Sequence, residues 1–281
     1  MSKTPFIKYQ GAGNDFVLLE GRHLDPSVNL SSLAAFLCDR RKGIGADGLL
    51  LLTPSTVADY RMRIFNADGS EPAMCGNGAY CLVDYIHRFI SPFDRLSLET
   101  NHSILRCTKI GQEIALNLGA VSVLHFPIDV GGNTPCYVVN TGVPHAVLWT
   151  DGLNQVDLEK QGRELRFDSR FAPNGVNVNF ATVIASENLL QMRTYERGVE
   201  GETLACGTGA AAVAFVAKQL HQLPCPIRVA TRSHFNAQEI EYVPQLRFLF
   251  PRNAQGETEV EMIGSAQVVF EGSIELDLWR F

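Results

Sequence analysis

No stretch of the 281-residue chain reaches the roughly twenty consecutive apolar residues that a membrane-spanning helix needs. The longest apolar run, Leu204 to Ala217, falls short, and Met1 to Gln10 has no apolar segment behind a basic start, so neither a membrane span nor a secretory signal is expected. Runs of like charge are missing as well. With 24 Lys and Arg against 30 Asp and Glu, the net charge of −6 and a pI near 5.7 argue against nucleic acid or an acidic membrane surface as a partner. The seven cysteines, at 38, 75, 81, 107, 136, 206 and 225, are odd in number and contain no C-x-x-C pair, so neither a disulfide framework nor a zinc ribbon is expected. What remains is a cytoplasmic globular chain, 46% hydrophobic and 19% charged, long enough for about two domains.

Two features that resemble sites are better read structurally. Arg40-Arg41-Lys42 closes a helix expected from Ser32 to Arg41, with Gly43 as the stop, where cations complement the helix dipole. Gly43-Ile44-Gly45-Ala46-Asp47-Gly48 matches the G-x-G-x-x-G dinucleotide fingerprint, but that fingerprint works only with a strand before it and a helix after. Here the helix precedes and the strand Leu49 to Leu52 follows, so the dinucleotide reading is discarded.

Apolar periodicity organises the rest. Strands are expected at Phe6–Tyr9 and Phe16–Leu19 around the turn 11–15, then at Tyr60–Phe65, Leu96–Thr100, Ile104–Thr108 and Glu113–Leu118. After Cys75 a helix carries Leu82, Tyr85, Ile86 and Phe89 on one stripe and stops before Pro92. The second half repeats this plan. Tyr137–Val139 and Ala146–Trp149 bracket the turn Thr141 to His145, and Val176–Val183 and Leu190–Tyr195 follow as strands. Beyond Cys206 comes a helix that is apolar all round, then strands at Ile227–Thr231, Arg247–Phe250, Val260–Ile263, Val268–Glu271 and Ile274–Leu278. Glu196 lies 130 residues after Asn66, and Cys206 lies 131 after Cys75, so one inserted residue separates two copies of a single plan.

The copies converge on Met74-Cys75-Gly76-Asn77-Gly78-Ala79 and Ala205-Cys206-Gly207-Thr208-Gly209-Ala210. Each sets a cysteine beside glycines at the mouth of a helix, where free N–H groups and the positive end of the dipole can bind a carboxylate and lower a thiol pKa. Two such thiols on opposite faces of one α-amino acid could remove the α-proton from one side and return a proton from the other. The carboxylate would lie on the N–H groups of Gly76, Asn77, Gly207 and Thr208. No lysine for pyridoxal phosphate and no metal cluster is evident, so no cofactor and no metal are expected, and carbanion stabilisation falls to the amide dipoles.

Together Gly11-Ala12-Gly13-Asn14-Asp15-Phe16, Phe65-Asn66-Ala67-Asp68-Gly69-Ser70, Cys75-Gly76-Asn77-Gly78, Tyr195-Glu196-Arg197-Gly198 and Ala205-Cys206-Gly207-Thr208-Gly209 resemble the diaminopimelate epimerase family over essentially the whole chain. The resemblance implies an α/β (α+β) protein of two pseudosymmetric domains, each a curved mixed β-sheet wrapped around a central helix. The halves are expected at 1–119 plus 268–281 and at 120–267. It implies Cys75 and Cys206 as the acid/base pair; Asn66, Asn177, Glu196 and Arg197 holding the distal amino-carboxylate end of the substrate; and Asn14 and His145 lining the site. The implied partner is a small amino acid, LL-diaminopimelate converted to the meso isomer for lysine and peptidoglycan precursors, and a homodimer stays open as the assembly.

Gly48 stands where many members carry Gln, and Val143 stands where the sequence Gly-Asn-Pro-His is usual, so weak turnover of a shorter amino acid such as glutamate is expected. Two other readings stay open. A proline or hydroxyproline racemase would use the same cysteine pair but has no use for Glu196-Arg197, and a non-catalytic amino-acid-binding protein has no use for the thiols.

Overall fold

A computed structural model of the chain describes every residue except 1–2, 12, 73–74, 132–133, 204–205, 232–245 and 277–281. Met74 and Ala205 of the two cysteine motifs, Ala12 of the first turn, Leu204 at the head of the apolar run and Leu278 at the end of the last expected strand therefore lie outside the described residues. The chain divides into two compact units, 1–116 with 264–281, and 117–263.

In the first unit β1 (Thr4–Gly11) and β2 (Asn14–Glu20) form an antiparallel hairpin. After α1 (Leu30–Cys38) comes β3 (Gly48–Thr53), parallel to β2, and β4 (Tyr60–Asn66) returns antiparallel to β3. Next is α2 (Gly76–Tyr85), followed by β5 (Arg95–Glu99) parallel to β4, β6 (Ile104–Ile110) antiparallel to β5, and β7 (Glu113–Ala120), whose last four residues belong to the second unit. The leucine run of β3 is buried on both faces, as a strand between two helical layers must be. Leu49 and Leu51 join Val17 and Leu19 against Leu33, Ala34 and Leu37 of α1. On the opposite face Leu50 and Ile64 press on α2 at Gly78, where a Cβ would lie 2.8 Å from Leu50 Cδ2.

The second unit opens with β8 (Ser122–Asp129) and β9 (Pro135–Asn140), which is antiparallel to β10 (Pro144–Trp149). After α3 (Leu158–Arg166) come β11 (Asn177–Ile184), parallel to β10, and β12 (Leu189–Glu196), antiparallel to β11. A short β13 (Gly201–Thr203) precedes α4 (Gly207–His221). The unit closes with β14 (Ile227–Ala230), parallel to β12, then β15 (Leu246–Leu249) and β16 (Glu259–Gly264) in antiparallel succession. The sequence β9–β10–α3–β11–β12–α4–β14 thus repeats β1–β2–α1–β3–β4–α2–β5 with every pairing in the same sense. Finally β17 (Ala266–Ile274) pairs antiparallel with β1, from Thr4 opposite Ile274 to Gly11 opposite Ala266.

Period-2 alternation sorts the second unit's faces. Ala146, Leu148, Val176, Val178, Phe180 and Tyr195 form one core with Leu158, and Leu165 of α3 packs against it. The alternate positions, among them His145, Asn177, Asn179, Thr194 and Glu196, take the other face, the one that α4 covers.

Several sequence expectations need correction. The helix expected at Ser32–Arg41 starts earlier, after the Asn29 cap, and ends at Cys38. The Asp39 carboxylate then accepts the N–H groups of Arg41 and Lys42 at 2.7 and 2.9 Å, so the basic cluster follows the helix instead of complementing its dipole. Phe89 leaves the buried stripe because α2 passes into a π-helical turn, Ile86–Ile90, whose wider winding shifts the phase; Phe89 is 45% exposed. The turn before β10 is shorter than expected, which moves His145 out of a loop and into a strand. The strands expected at Val268–Glu271 and Ile274–Leu278 are one strand as far as Ile274. The pattern also misses α3, a mostly charged helix that buries only Leu158 and Gly162.

Candidate active site

Cys75 and Cys206 hold the same local position. Each is the residue immediately before its helix, with extended backbone angles (φ −143°, ψ 114° and φ −134°, ψ 106°). Each sulfur accepts the backbone N–H three residues on, Gly78 for Cys75 and Gly209 for Cys206, both at 3.4 Å. Serine, threonine, asparagine or aspartate usually fills this role, and a thiolate in it gains from both the N–H donors and the dipole. Gly76 and Asn77 open α2, and Gly207 and Thr208 open α4, so their N–H groups belong to the first turn, which has no intrahelical acceptor.

Burial works against these donors. Cys206 is buried and its thiol is pushed up to about 11; desolvation dominates, the Glu196 charge adds to it, and the Thr208 hydroxyl with the Gly209 and Thr208 amides pull the other way. Cys75 is only partly buried, and desolvation still raises its pKa against the amides of Gly78 and Asn77. The expectation that a helix mouth lowers the thiol pKa therefore fails on balance, because removing water from a thiolate costs more than two or three amides return. Cys38, Cys107 and Cys136, buried away from helix starts, are likewise pushed up by desolvation, to about 12.

Around Cys75, the Asn77 side-chain amide donates to Asn14 Oδ1 at 2.8 Å, and Asn14 Nδ2 donates to Asp47 Oδ2 at 2.9 Å. Asp47 is paired with Arg40 at 3.0 Å, and Arg40 also holds Asp15 at 2.7 Å, so a charged lattice fixes Asn14. Asn66 ends β4 and is exposed, its amide donating to Ser70 Oγ at 2.9 Å. Gly48 has no room for a side chain: a Cβ there would meet the Phe65 carbonyl oxygen at 2.8 Å.

Around Cys206, His145 Nε2 lies 3.0 Å from Thr208 Oγ1, which is itself 3.6 Å from the Cys206 sulfur. His145 is fully buried, and burial, helped by the Arg197 charge, lowers its pKa to about 3, so the ring is neutral. Asn177 Oδ1 accepts the Arg197 backbone N–H at 2.9 Å, its amide donates to the Pro144 carbonyl at 3.2 Å, and Glu196 accepts from Thr203 Oγ1 at 2.7 Å. Because β2–β3 and β10–β11 share one register, His145 occupies the place of Phe16, and Val143 that of Asn14.

The structure thus ties Asn14 and Asn77 to one network beside Cys75, and His145 and Thr208 to another beside Cys206. Among the described residues, the Asn66 side chain bonds to Ser70 and that of Glu196 to Thr203, and neither is hydrogen-bonded into these networks. Asp47, Asn179 and Thr194 were missed from sequence, although alternation places Asn179 on the same face as Asn177. Among the described residues no group of three or more His, Cys, Asp or Glu is placed to hold a metal ion, and no helix is long and apolar enough to cross a membrane.

A family model described as diaminopimelate epimerase matches residues 6–122 and 137–241. A diaminopimelate epimerase of Methanocella arvoryzae is 37% identical over 294 aligned positions, covering 99% of each chain. Another, from Microcystis aeruginosa, is 36% identical and covers 96% of this chain and 98% of its own. Among solved structures, a phenazine biosynthesis protein of the PhzF family from Bacillus anthracis superposes with a TM-score of 0.69 at 16% identity, over 98% of this chain and 100% of the other, a likeness of fold alone.

Proposed function

We propose, since this chain belongs to the diaminopimelate epimerase family, that it converts LL-diaminopimelate to meso-diaminopimelate with Cys75 and Cys206 as the proton-exchanging pair. The observation that carries the reading is the twofold occurrence of a cysteine at a helix N-cap, its sulfur on the N–H three residues on. One thiolate removes the α-proton and becomes a thiol, while the other thiol gives its proton to the opposite face and becomes a thiolate. The centre is inverted and the pair is left with its roles exchanged. The N–H groups of Gly76, Asn77, Gly207 and Thr208 receive the α-carboxylate, where negative charge spreads in the carbanion, so the reaction runs without pyridoxal phosphate or metal.

Asn66, Asn177, Glu196 and Arg197 hold the distal amino-carboxylate end. A guanidinium suits a carboxylate and a carboxylate suits an ammonium, and β12 delivers Glu196 directly before Arg197. Asn14 and His145 line the site. With Val143 where Asn14 has its counterpart, the distal end is read less stringently, and slow racemisation of glutamate is expected. The enzyme works in the cytoplasm, whose reducing poise keeps both thiols free, and serves lysine and peptidoglycan precursor synthesis.

Incubating the reduced protein with LL-diaminopimelate and no cofactor, then separating stereoisomers by chiral chromatography, tests the reading. The meso isomer should appear. Turnover of proline instead would move the substrate to that of a racemase, and no turnover of any amino acid would favour a binding protein.

A further inference from the structure

The second unit buries an asparagine where the first has a leucine. β3 and β11 run in step from Gly48 and Asn177, which makes Asn179 the counterpart of Leu50. Each packs on the matching glycine of its helix, Leu50 on Gly78 and Asn179 on Gly209. Asn179 is fully buried, and a buried primary amide is costly unless its donors and acceptor are matched.

They are matched in one orientation only. Asn179 Nδ2 lies 2.9 Å from the Ala146 carbonyl oxygen and 3.2 Å from His145 Nδ1, and Oδ1 accepts from Thr194 Oγ1 at 2.9 Å. A carbonyl can only accept, so the NH2 group must face Ala146, and its second hydrogen then points at His145 Nδ1. Nδ1 is therefore the bare nitrogen of a neutral ring, and the proton sits on Nε2, 3.0 Å from Thr208 Oγ1. With that oxygen accepting from histidine, the hydroxyl hydrogen of Thr208 is left for the Cys206 sulfur, 3.6 Å away.

We propose that Asn179 is a positioning residue for Cys206: it sets the His145 tautomer that turns the Thr208 hydroxyl hydrogen toward the sulfur, supplying a donor for the thiolate. The role assigned to the thiolate rests on the catalytic reading given above; the hydrogen-bond chain does not.

Two measurements on the intact protein test this without needing turnover. NMR of the protein labelled with 15N-histidine reads the ring tautomer directly, and His145 should carry its proton on Nε2 with Nδ1 bare. A proton on Nδ1, or an imidazolium near neutral pH, would overturn the proposal even if no variant folds. Iodoacetamide labelling of Cys206, followed by peptide mass spectrometry, reads the thiolate. In Asn179→Asp the carboxylate accepts a hydrogen bond from Nδ1–H, so the ring switches tautomer, bare Nε2 accepts the Thr208 hydroxyl hydrogen, and labelling should slow by about tenfold, the loss of one hydrogen bond to a charged group. Thr208→Val should slow it as much, and the double variant no more than Thr208→Val alone. An aspartate charge acting directly on the sulfur would persist without the hydroxyl, so additive losses would contradict the relay. An active Cys206→Ala enzyme would sink the catalytic reading while leaving both readouts able to judge Asn179.

Discussion

Gly209 and Asn179 meet so closely that a Cβ on the glycine would lie 2.6 Å from Asn179 Oδ1, and only 3.2 Å from the Cys206 sulfur. Three hydrogen bonds hold the Asn179 amide, so it cannot give way cheaply. Gly209→Ala should cost about 1–3 kcal/mol of stability by overpacking and lower kcat, as urea unfolding and steady-state rates would report. Gly78→Ala should cost less, since the atoms it meets, Leu50 Cδ2 and Ile64 Cδ1, end side chains without polar partners.

Removing either thiol removes one of the two proton carriers. Cys75→Ala and Cys206→Ala should each lose at least about a thousandfold in kcat, within the range of a general acid/base, and each serine variant should keep no more than a trace. Near-normal epimerisation by either alanine variant would rule out the two-base mechanism.

His145 makes stability depend on pH. Its pKa falls from 6.5 to about 3 on folding, so between those values the unfolded chain binds the proton and the folded one does not. Stability is retained above pH 6.5 and falls as the pH drops through this window, by at most about 1.4 kcal/mol per pH unit for this residue. Urea titrations at several pH values should show that slope, and His145→Gln should flatten it.

Arg197 is assigned to binding and not to proton transfer. Its guanidinium has the Asn174 carbonyl at the outer limit of hydrogen bonding, 3.5 Å, and no ion pair among the described residues. Arg197→Gln should raise KM by about ten- to a hundredfold, the loss of a charge-assisted pair, with a smaller effect on kcat, and Arg197→Lys should recover part of it. Steady-state kinetics with LL-diaminopimelate would separate the two effects.

The duplication was legible because it is written in periodicity: alternating strands, two apolar helices and cysteines 131 residues apart. The N-cap position of both thiols followed from Cys-Gly-x-Gly at a helix mouth. What the sequence hid depends on partners distant along the chain. α1 stops at Cys38 because Asp39 captures the next two amides, a competition that composition does not reveal. α3 escaped notice because only two of its nine residues are buried, leaving no apolar stripe. The raised thiol pKa values needed the depth of burial as well as the helix start, and alternation along β11 puts Asn179 on the face of Asn177 without showing that His145, 34 residues earlier, meets it.

Proton exchange at the α-carbon is the step that the two-thiol mechanism requires. Reduced protein incubated with LL-diaminopimelate in D2O, without cofactor, should yield the meso isomer with deuterium at the inverted centre, followed by proton NMR. A meso product that keeps its original α-proton, or no exchange at all, would contradict it.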